Sequence, residues 1–286
     1  METRSCAKIN LFLKVLGKRP DGYHSLVSLM CPIGIYDRIS LDFGARDISV
    51  ECDAPDVPDG PGNIAFKAAR LFFERAFLKT GLKGRGVAVS ISKTIPSGGG
   101  LGGGSGNAAR VLSALNDFYG RPFSMPGMME MAAAIGADAP FFIRSKPALA
   151  TGIGERLQAF HRFSGRHVLV IFPGFSLSTA MIFKKLNLGL TKREQKVKCS
   201  FCVKDGWFNA EHDLRNDLEA VAGALRPEIF AMKNALSRGG ASGTLMSGSG
   251  SCVFGLFRDR PSLRAAFDSI SKKNDHWKLF AAEMLT

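Results

Sequence analysis

Seven of the nine residues from Gly98 to Gly106 are glycine, in the stretch IPSGGGLGGGSGNAAR. A backbone without Cβ atoms can bring several N–H groups together on an anion, and positive φ costs glycine little. The stretch lies directly after an alternating, strand-like run, Val87 to Ile95. Directly after it Ala108, Val111, Leu112 and Leu115 make a helical stripe that stops at Gly120. The positive end of that helix, with the polar Ser105 and Asn107 beside it, suits phosphate. A flexible linker would separate complete units, which this stretch does not. A tight structural turn is the competing reading. No lysine precedes the serine, so it is not a Walker loop. The βαβ setting of a dinucleotide fingerprint is also missing.

Other polar residues stand where chemistry could use them. Lys8 and Asn10 are two apart in an alternating run, so their side chains rise on one face roughly 6–7 Å apart. Taken without other motifs, the favoured reading is two exposed polar residues on a half-buried strand. Tyr23 and His24 follow the Pro-Asp-Gly turn of RPDGYH, in a chain with three tyrosines. By themselves they read as an aromatic staple over the turn. Asp138, in GADAPFF, could serve as a base in an apolar, proline-bounded segment, or sit at a helix end or turn. Cys199 and Cys202 are spaced as a C-x-x-C pair. No second pair follows at zinc-site spacing, so incidental thiols are the plainer reading.

These residues need elements to hold them. Ile9, Leu11, Leu13 and Val15 alternate with Lys8, Asn10, Phe12 and Lys14, which predicts a strand. Further strands are predicted over Leu26–Ile35, Arg38–Phe43, Asp47–Cys52 and His167–Phe172, and in GTLMSGSGSCVFGLF. Asn63 reads as the N-cap of a helix that ends at Gly81. Other helices are predicted at Asn107–Gly120, Met125–Ile135, Thr179–Leu186, Leu214–Leu225, after Pro227, and from Pro261 to Ser271. Strands and helices alternate without regular strand–helix units, which makes the fold class α+β. With 286 residues there is room for two domains, divided as 1–152 and 153–286. The net charge of +13 favours anionic partners, whether nucleic acid, membrane surfaces or phosphorylated metabolites. The N-terminus has no apolar signal core, and no apolar run approaches the roughly 20 residues of a membrane span. The expectation is a reduced, soluble, cytoplasmic protein.

Four blocks together resemble the GHMP kinases, small-molecule kinases whose glycine loop wraps a nucleotide's phosphates. IPSGGGLGGGSGNAA resembles their second motif, and LMSGSGSCVFGLF their third. AKINLFLKVLGKRPDGYH and GADAPFF resemble the first and aspartate motifs of one branch, whose acceptor is a methylerythritol bearing a cytidine diphosphate. The blocks fall in the family's order and span nearly the whole chain. The resemblance implies a two-domain fold, with an N-terminal domain like domain 2 of ribosomal protein S5 and a ferredoxin-like α/β C-terminal domain. It puts the active site in the cleft between them.

The implied activity is transfer of the γ-phosphoryl of ATP, with Mg²⁺, to a hydroxyl of that acceptor in isoprenoid precursor biosynthesis. The resemblance makes Asp138 the catalytic base and pairs it with Lys8. It gives Asn10 to the methylerythritol hydroxyls, Tyr23 and Phe183 to stacking on cytosine, His24 to the base edge, and Thr179 to a nearby polar contact. Asn63, Lys93, Pro96, Gly98, Gly99, Gly100, Leu101, Gly102, Gly103, Gly104, Ser105 and Gly106 line the ATP site. Gly248–Gly250 shape it from the third motif. No metal-ligating residue is assigned. One departure stands out: the family's loop usually ends in two adjacent serines, and here Ser105 is followed by Gly106. The implied partner is a small molecule, with no nucleic acid or membrane, and the chain a monomer or homodimer. Two alternatives keep their place. A mevalonate- or homoserine-type kinase would lack a base to stack, and an RNA-binding protein would use the basic run Lys192–Lys198.

Overall fold

The computed structural model describes residues 1–81, 86–162, 166–186, 208–209 and 212–285. The chain opens with a long hairpin, β1 (Glu2–Lys18) and β2 (His24–Asp42). Both strands run through two compact units: Met1–Ala7, Tyr36–Ser97 and Gly102–Ser145 form one; Lys8–Ile35, Gly98–Leu101 and Lys146–Thr286 form the other.

In the first unit, β3 (Ile48–Cys52) pairs in parallel with β4 (Val87–Ser92), and β4 pairs antiparallel with Arg38–Asp42 of β2. Between β3 and β4 runs α1 (Ile64–Thr80). Asn63 caps it by accepting the Ala65 N–H at 2.9 Å, and Gly81 ends it in the left-handed region at φ +68. α2 (Gly103–Phe118), α3 (Met125–Ile135) and the short α4 (Ala139–Arg144) follow. Phe72 of α1, Leu112 and Leu115 of α2, and Ile39, Val89 and Ile91 of the sheet meet in one core. Burying each such side chain contributes about 1.5–3 kcal/mol.

In the second unit, β5 (Ala148–Gly152) pairs with Leu26–Met30 of β2, and β6 (Arg156–Ala159) with β5. A separate sheet is built from β7 (His167–Phe172), β9 (Gly243–Met246), β10 (Val253–Phe257) and β11 (Lys278–Glu283). The two-residue β8 (Arg215–Asn216) lies instead along β1, in parallel register with Phe12 and Leu13. α5 (Thr179–Lys185), α6 (Glu219–Leu225), α7 (Glu228–Arg238) and α8 (Arg260–Ser271) complete the unit. The separate sheet has the order β11-β7-β10-β9. With α7 and α8 as its crossovers, this is the split βαββαβ arrangement of the ferredoxin-like fold. Ile229, Met232 and Leu236 of α7 and Leu263, Ala266 and Ile270 of α8 pack with Leu169, Ile171 and Phe257 of the sheet. Among the described residues, no helix is long and apolar enough to cross a membrane.

Three expectations change. The two strands predicted over Leu26–Ile35 and Arg38–Phe43 are one, β2. The helix predicted at Asn107 starts four residues earlier, so Gly103–Gly106 are its first turn rather than loop. The segment predicted helical over Leu214–Leu225 begins with β8, because Arg215 and Asn216 take up the free side of β1. Cys199, Cys202 and Lys192–Lys198 lie outside the described residues.

Candidate active site

The alternation in β1 predicts one buried face, but every residue from Ser5 to Leu13 is buried. Lys8 and Asn10 are each only 3 % exposed, so the exposed-strand reading fails. Buried polar groups need partners, and these two form a relay. Lys8 Nζ donates to Asn10 Oδ1 at 2.5 Å, Asn10 Nδ2 to Ser28 Oγ at 2.7 Å, and Ser28 Oγ to the Phe12 carbonyl at 2.8 Å. Gly248 lies over the pair, at φ +56. A Cβ there would sit 3.2 Å from Lys8 Nζ and 3.4 Å from Asn10 Oδ1. The left-handed conformation favours glycine here, and a side chain would also ask its neighbours to give by a few tenths of an ångström.

Within the same unit, Gly98–Leu101 turns on positive φ at Gly98 (+65) and Gly100 (+77). Three consecutive carbonyls of this turn are held by protein donors. The Gly99 carbonyl accepts the Cys252 N–H at 3.0 Å, Gly100 the Ser247 hydroxyl at 3.0 Å, and Leu101 the Lys8 N–H at 2.9 Å. In a planar trans peptide the next N–H points away from the carbonyl. The N–H groups of Gly100, Leu101 and Gly102 are therefore each directed away from the protein donor that holds the carbonyl before it. Leu101 anchors the turn, its side chain fully buried.

In the first unit, Gly102 caps α2 in the left-handed region at φ +72, and the first intrahelical bond is Gly106 N–H to Gly102 carbonyl at 2.9 Å. The N–H groups of Gly103, Gly104 and Ser105 thus have no partner inside the helix and carry its positive end. Lys93 reaches this end, its Nζ 3.0 Å from where a Gly103 Cβ would lie. A cation is unfavourable there by itself. It is paired with the fully buried Asp37, which also accepts the Thr94 and Ile95 N–H groups at 2.8 Å each. Asp37 thereby fixes the end of β4 that leads into Pro96. Asn63 turns its amide inward, donating to the Pro58 carbonyl at 2.9 Å while capping α1. Asp138 stands at the N-cap position of α4, half-buried, without a side-chain capping bond. It lies two residues after Gly136, whose Cβ position is 3.8 Å from Ser105 Oγ. The first turn of α2 and the Asp138 turn are neighbours.

The predicted base-binding residues divide. Tyr23 is 60 % exposed, on a turn held by the Arg19–Asp21 ion pair. His24 stacks on Phe183 of α5, ring centroids 5.1 Å apart at 27°. Burial, and then the charge of Lys18, hold the imidazole pKa below its ordinary value. Both effects favour the neutral ring, which has one nitrogen to donate and one to accept. Thr179 Oγ1 and Ser249 Oγ share a hydrogen bond of 2.7 Å, tying α5 to the turn after β9.

Sequence reasoning missed Ser28, Asp37, Asn216 and Ser247. Of these, only the acidic Asp37 inside an apolar strand carried a signal, since a charge there demands a partner. Among the described residues, no three His, Cys, Asp or Glu side chains gather as a metal site.

Comparison with known proteins bears on this geometry. The model of the GHMP kinases N terminal domain matches residues 63–146, and that of the GHMP kinases C terminal domain residues 207–276. The 4-diphosphocytidyl-2-C-methyl-D-erythritol kinase of Syntrophotalea carbinolica is 42 % identical over 278 residues, covering 97 % of this chain and 96 % of the relative. That of Geobacter sp. is also 42 % identical, over 98 % of this chain and 96 % of the relative. A crystal structure of 4-(cytidine 5′-diphospho)-2C-methyl-D-erythritol kinase matches with a TM-score of 0.80 at 31 % identity, covering 100 % of both chains. The Methanococcus jannaschii mevalonate kinase shares the fold, with a TM-score of 0.69 at 14 % identity over 100 % of this chain and 98 % of that one.

Proposed function

The chain belongs to the GHMP kinase family, and from that premise we propose that it transfers the γ-phosphoryl group of ATP to the 2-hydroxyl of 4-diphosphocytidyl-2-C-methyl-D-erythritol, releasing ADP. The observation that supports this reading most is the 42 % identity to kinases of that name across nearly the full chain.

The site's own residues supply a role for each step. Phosphoryl transfer asks a protein mainly to position the reactants and stabilise charge. The N–H groups of Gly100 to Ser105 receive the β- and γ-phosphates, and the dipole of α2 favours their charge. Lys93, held by Asp37, adds a cation at that helix end. The acceptor oxygen attacks the γ-phosphorus as the bond to ADP breaks, and its proton passes to the Asp138 carboxylate. Lys8 and Asn10 orient the methylerythritol hydroxyls. His24 reads the cytosine edge, while Tyr23 and Phe183 offer stacking faces and Thr179 a polar contact. Mg²⁺ would neutralise triphosphate charge, and it suits a site in which the nucleotide carries most of the ligands and Ser105 offers a hydroxyl.

An ADP-release assay over a panel of acceptors tests the reading, with wild type and Asp138→Asn side by side. Activity is expected with the cytidine-bearing acceptor alone, and the variant should lose about 10²–10⁴-fold in kcat. Equal rates on mevalonate or homoserine would refute the acceptor, and an undiminished variant would refute the base.

A further inference from the structure

Two segments that the proposed reaction uses meet the turn after β9: Gly248 lies over Lys8 and Asn10, and Ser247 holds the Gly100 carbonyl. One unassigned side chain fixes that turn. Asn216, 8 % exposed, donates from Nδ2 to the Met246 carbonyl at 2.8 Å and to the Gly248 carbonyl at 2.7 Å. Its Oδ1 accepts the Leu218 N–H at 3.0 Å. The amide orientation follows from its partners, because a flipped group would turn its oxygen toward two carbonyls. Asn216 itself is anchored by the pairing of β8 with β1, opposite Leu13, on the strand that carries Lys8 and Asn10.

We propose that Asn216 is a positioning residue for phosphoryl transfer, setting the Gly248 turn against the Lys8–Asn10 pair and the Gly100 turn. Through one planar amide, the strand that orients the acceptor also sets the turn that bounds the phosphate loop. This rests on the phosphotransfer reading. The neighbouring Glu219 provides a contrast, since it accepts the Met246 N–H at 2.8 Å and pairs with Lys233 but does not touch Gly248.

The test measures ADP release on the cytidine-bearing acceptor, with thermal unfolding, for wild type, Asn216→Asp, Gly248→Ala and Glu219→Gln. Asn216→Asp keeps the shape and the bond from Leu218 but loses both donors. Its kcat should fall about thirtyfold, with KM values changed less, as two hydrogen bonds of ordinary net strength predict. Gly248→Ala displaces the same turn with Asn216 intact and should lower kcat comparably, which keeps the test decisive if the aspartate variant folds poorly. Glu219→Gln should lower the melting temperature with kcat within about twofold of wild type. Full kcat in Asn216→Asp or Gly248→Ala would overturn the positioning role. So would a kcat loss in Glu219→Gln equal to that of Asn216→Asp. An inactive wild type would instead sink the phosphotransfer reading itself.

Discussion

Gly100→Ala separates the geometry of the phosphate turn from its mere glycine content. At φ +77, a Cβ built on Gly100 would lie 2.0 Å from the Ser247 carbonyl oxygen and 3.1 Å from that of Gly250. Both obstacles are backbone, so no side-chain rotation relieves them. Reaching ordinary contact, which begins at 3.4 Å, takes a displacement of about 1.4 Å. Misplacing a reacting group by about 1 Å can cost a hundredfold in rate. The left-handed conformation adds about 1–2 kcal/mol of strain for alanine. Gly120→Ala is the matched control, because Gly120 has φ +76 but nothing within 4 Å of its Cβ position. Gly120→Ala should lose a few degrees in melting temperature from strain alone, at about 2–4 °C per kcal/mol for a domain of 150–250 residues, and Gly100→Ala more because of the clash. Only Gly100→Ala should lose about a hundredfold or more in kcat/KM for ATP. If steady-state ADP release shows the two variants within about threefold of each other, the argument from close approach is wrong.

Two further outcomes follow from charge. His24 has a lowered pKa, so the folded protein resists protonating it, and stability falls as pH drops below the unfolded value of about 6.5. KM for the cytidine-bearing acceptor should rise over the same range as the ring loses its acceptor nitrogen; a pH-independent KM that matches His24→Gln would exclude a role for the ring. Asp37→Asn removes the carboxylate paired with the Lys93 ammonium, whose side chain is 7 % exposed. The expected loss is about 3–5 kcal/mol in urea unfolding, with part of it restored by adding Lys93→Met; an unchanged midpoint would show that the pair contributes nothing.

What the sequence reveals depends on whether a feature is local. The Asn63 cap and the Gly81 stop are written in single residues with one dominant use, and both stand where composition places them. The glycine stretch is legible for the same reason, since its turns need positive φ at Gly98, Gly100 and Gly102. Gly103–Gly106 misleads because glycine is a poor helix former. Tertiary approach decides there: Ile95 and Lys93 crowd Gly103, and the Cys6 carbonyl crowds Gly106. Alternation in β1 shows which residues share a face but not what covers it, so the burial of Lys8 and Asn10 stays hidden. Their relay ends on Ser28, 18 positions along the chain from Asn10, and Asp37 finds Lys93 at a separation of 56. Such partners are set by the fold, and no local pattern encodes them.

Gly106 shows how one departure from a family pattern can be read physically. A Cβ there would meet the Cys6 carbonyl oxygen at 3.2 Å and the Phe142 ring at 3.4 Å. The carbonyl belongs to β1, so a serine at this position would need α2 and that strand to part by a few tenths of an ångström. Glycine lets them close, at a cost of about 1 kcal/mol in helix propensity that the tighter contact can offset. The hydroxyl given up is replaced by none on the next residue, because Asn107 is turned to Ser5, whose hydroxyl it accepts at 2.5 Å. Ser105 is therefore the side-chain hydroxyl in the first turn of α2, and it stands beside the turn that carries Asp138. If the triphosphate and its metal call on a protein hydroxyl at this helix end, the packing of Gly106 against β1 assigns the task to Ser105.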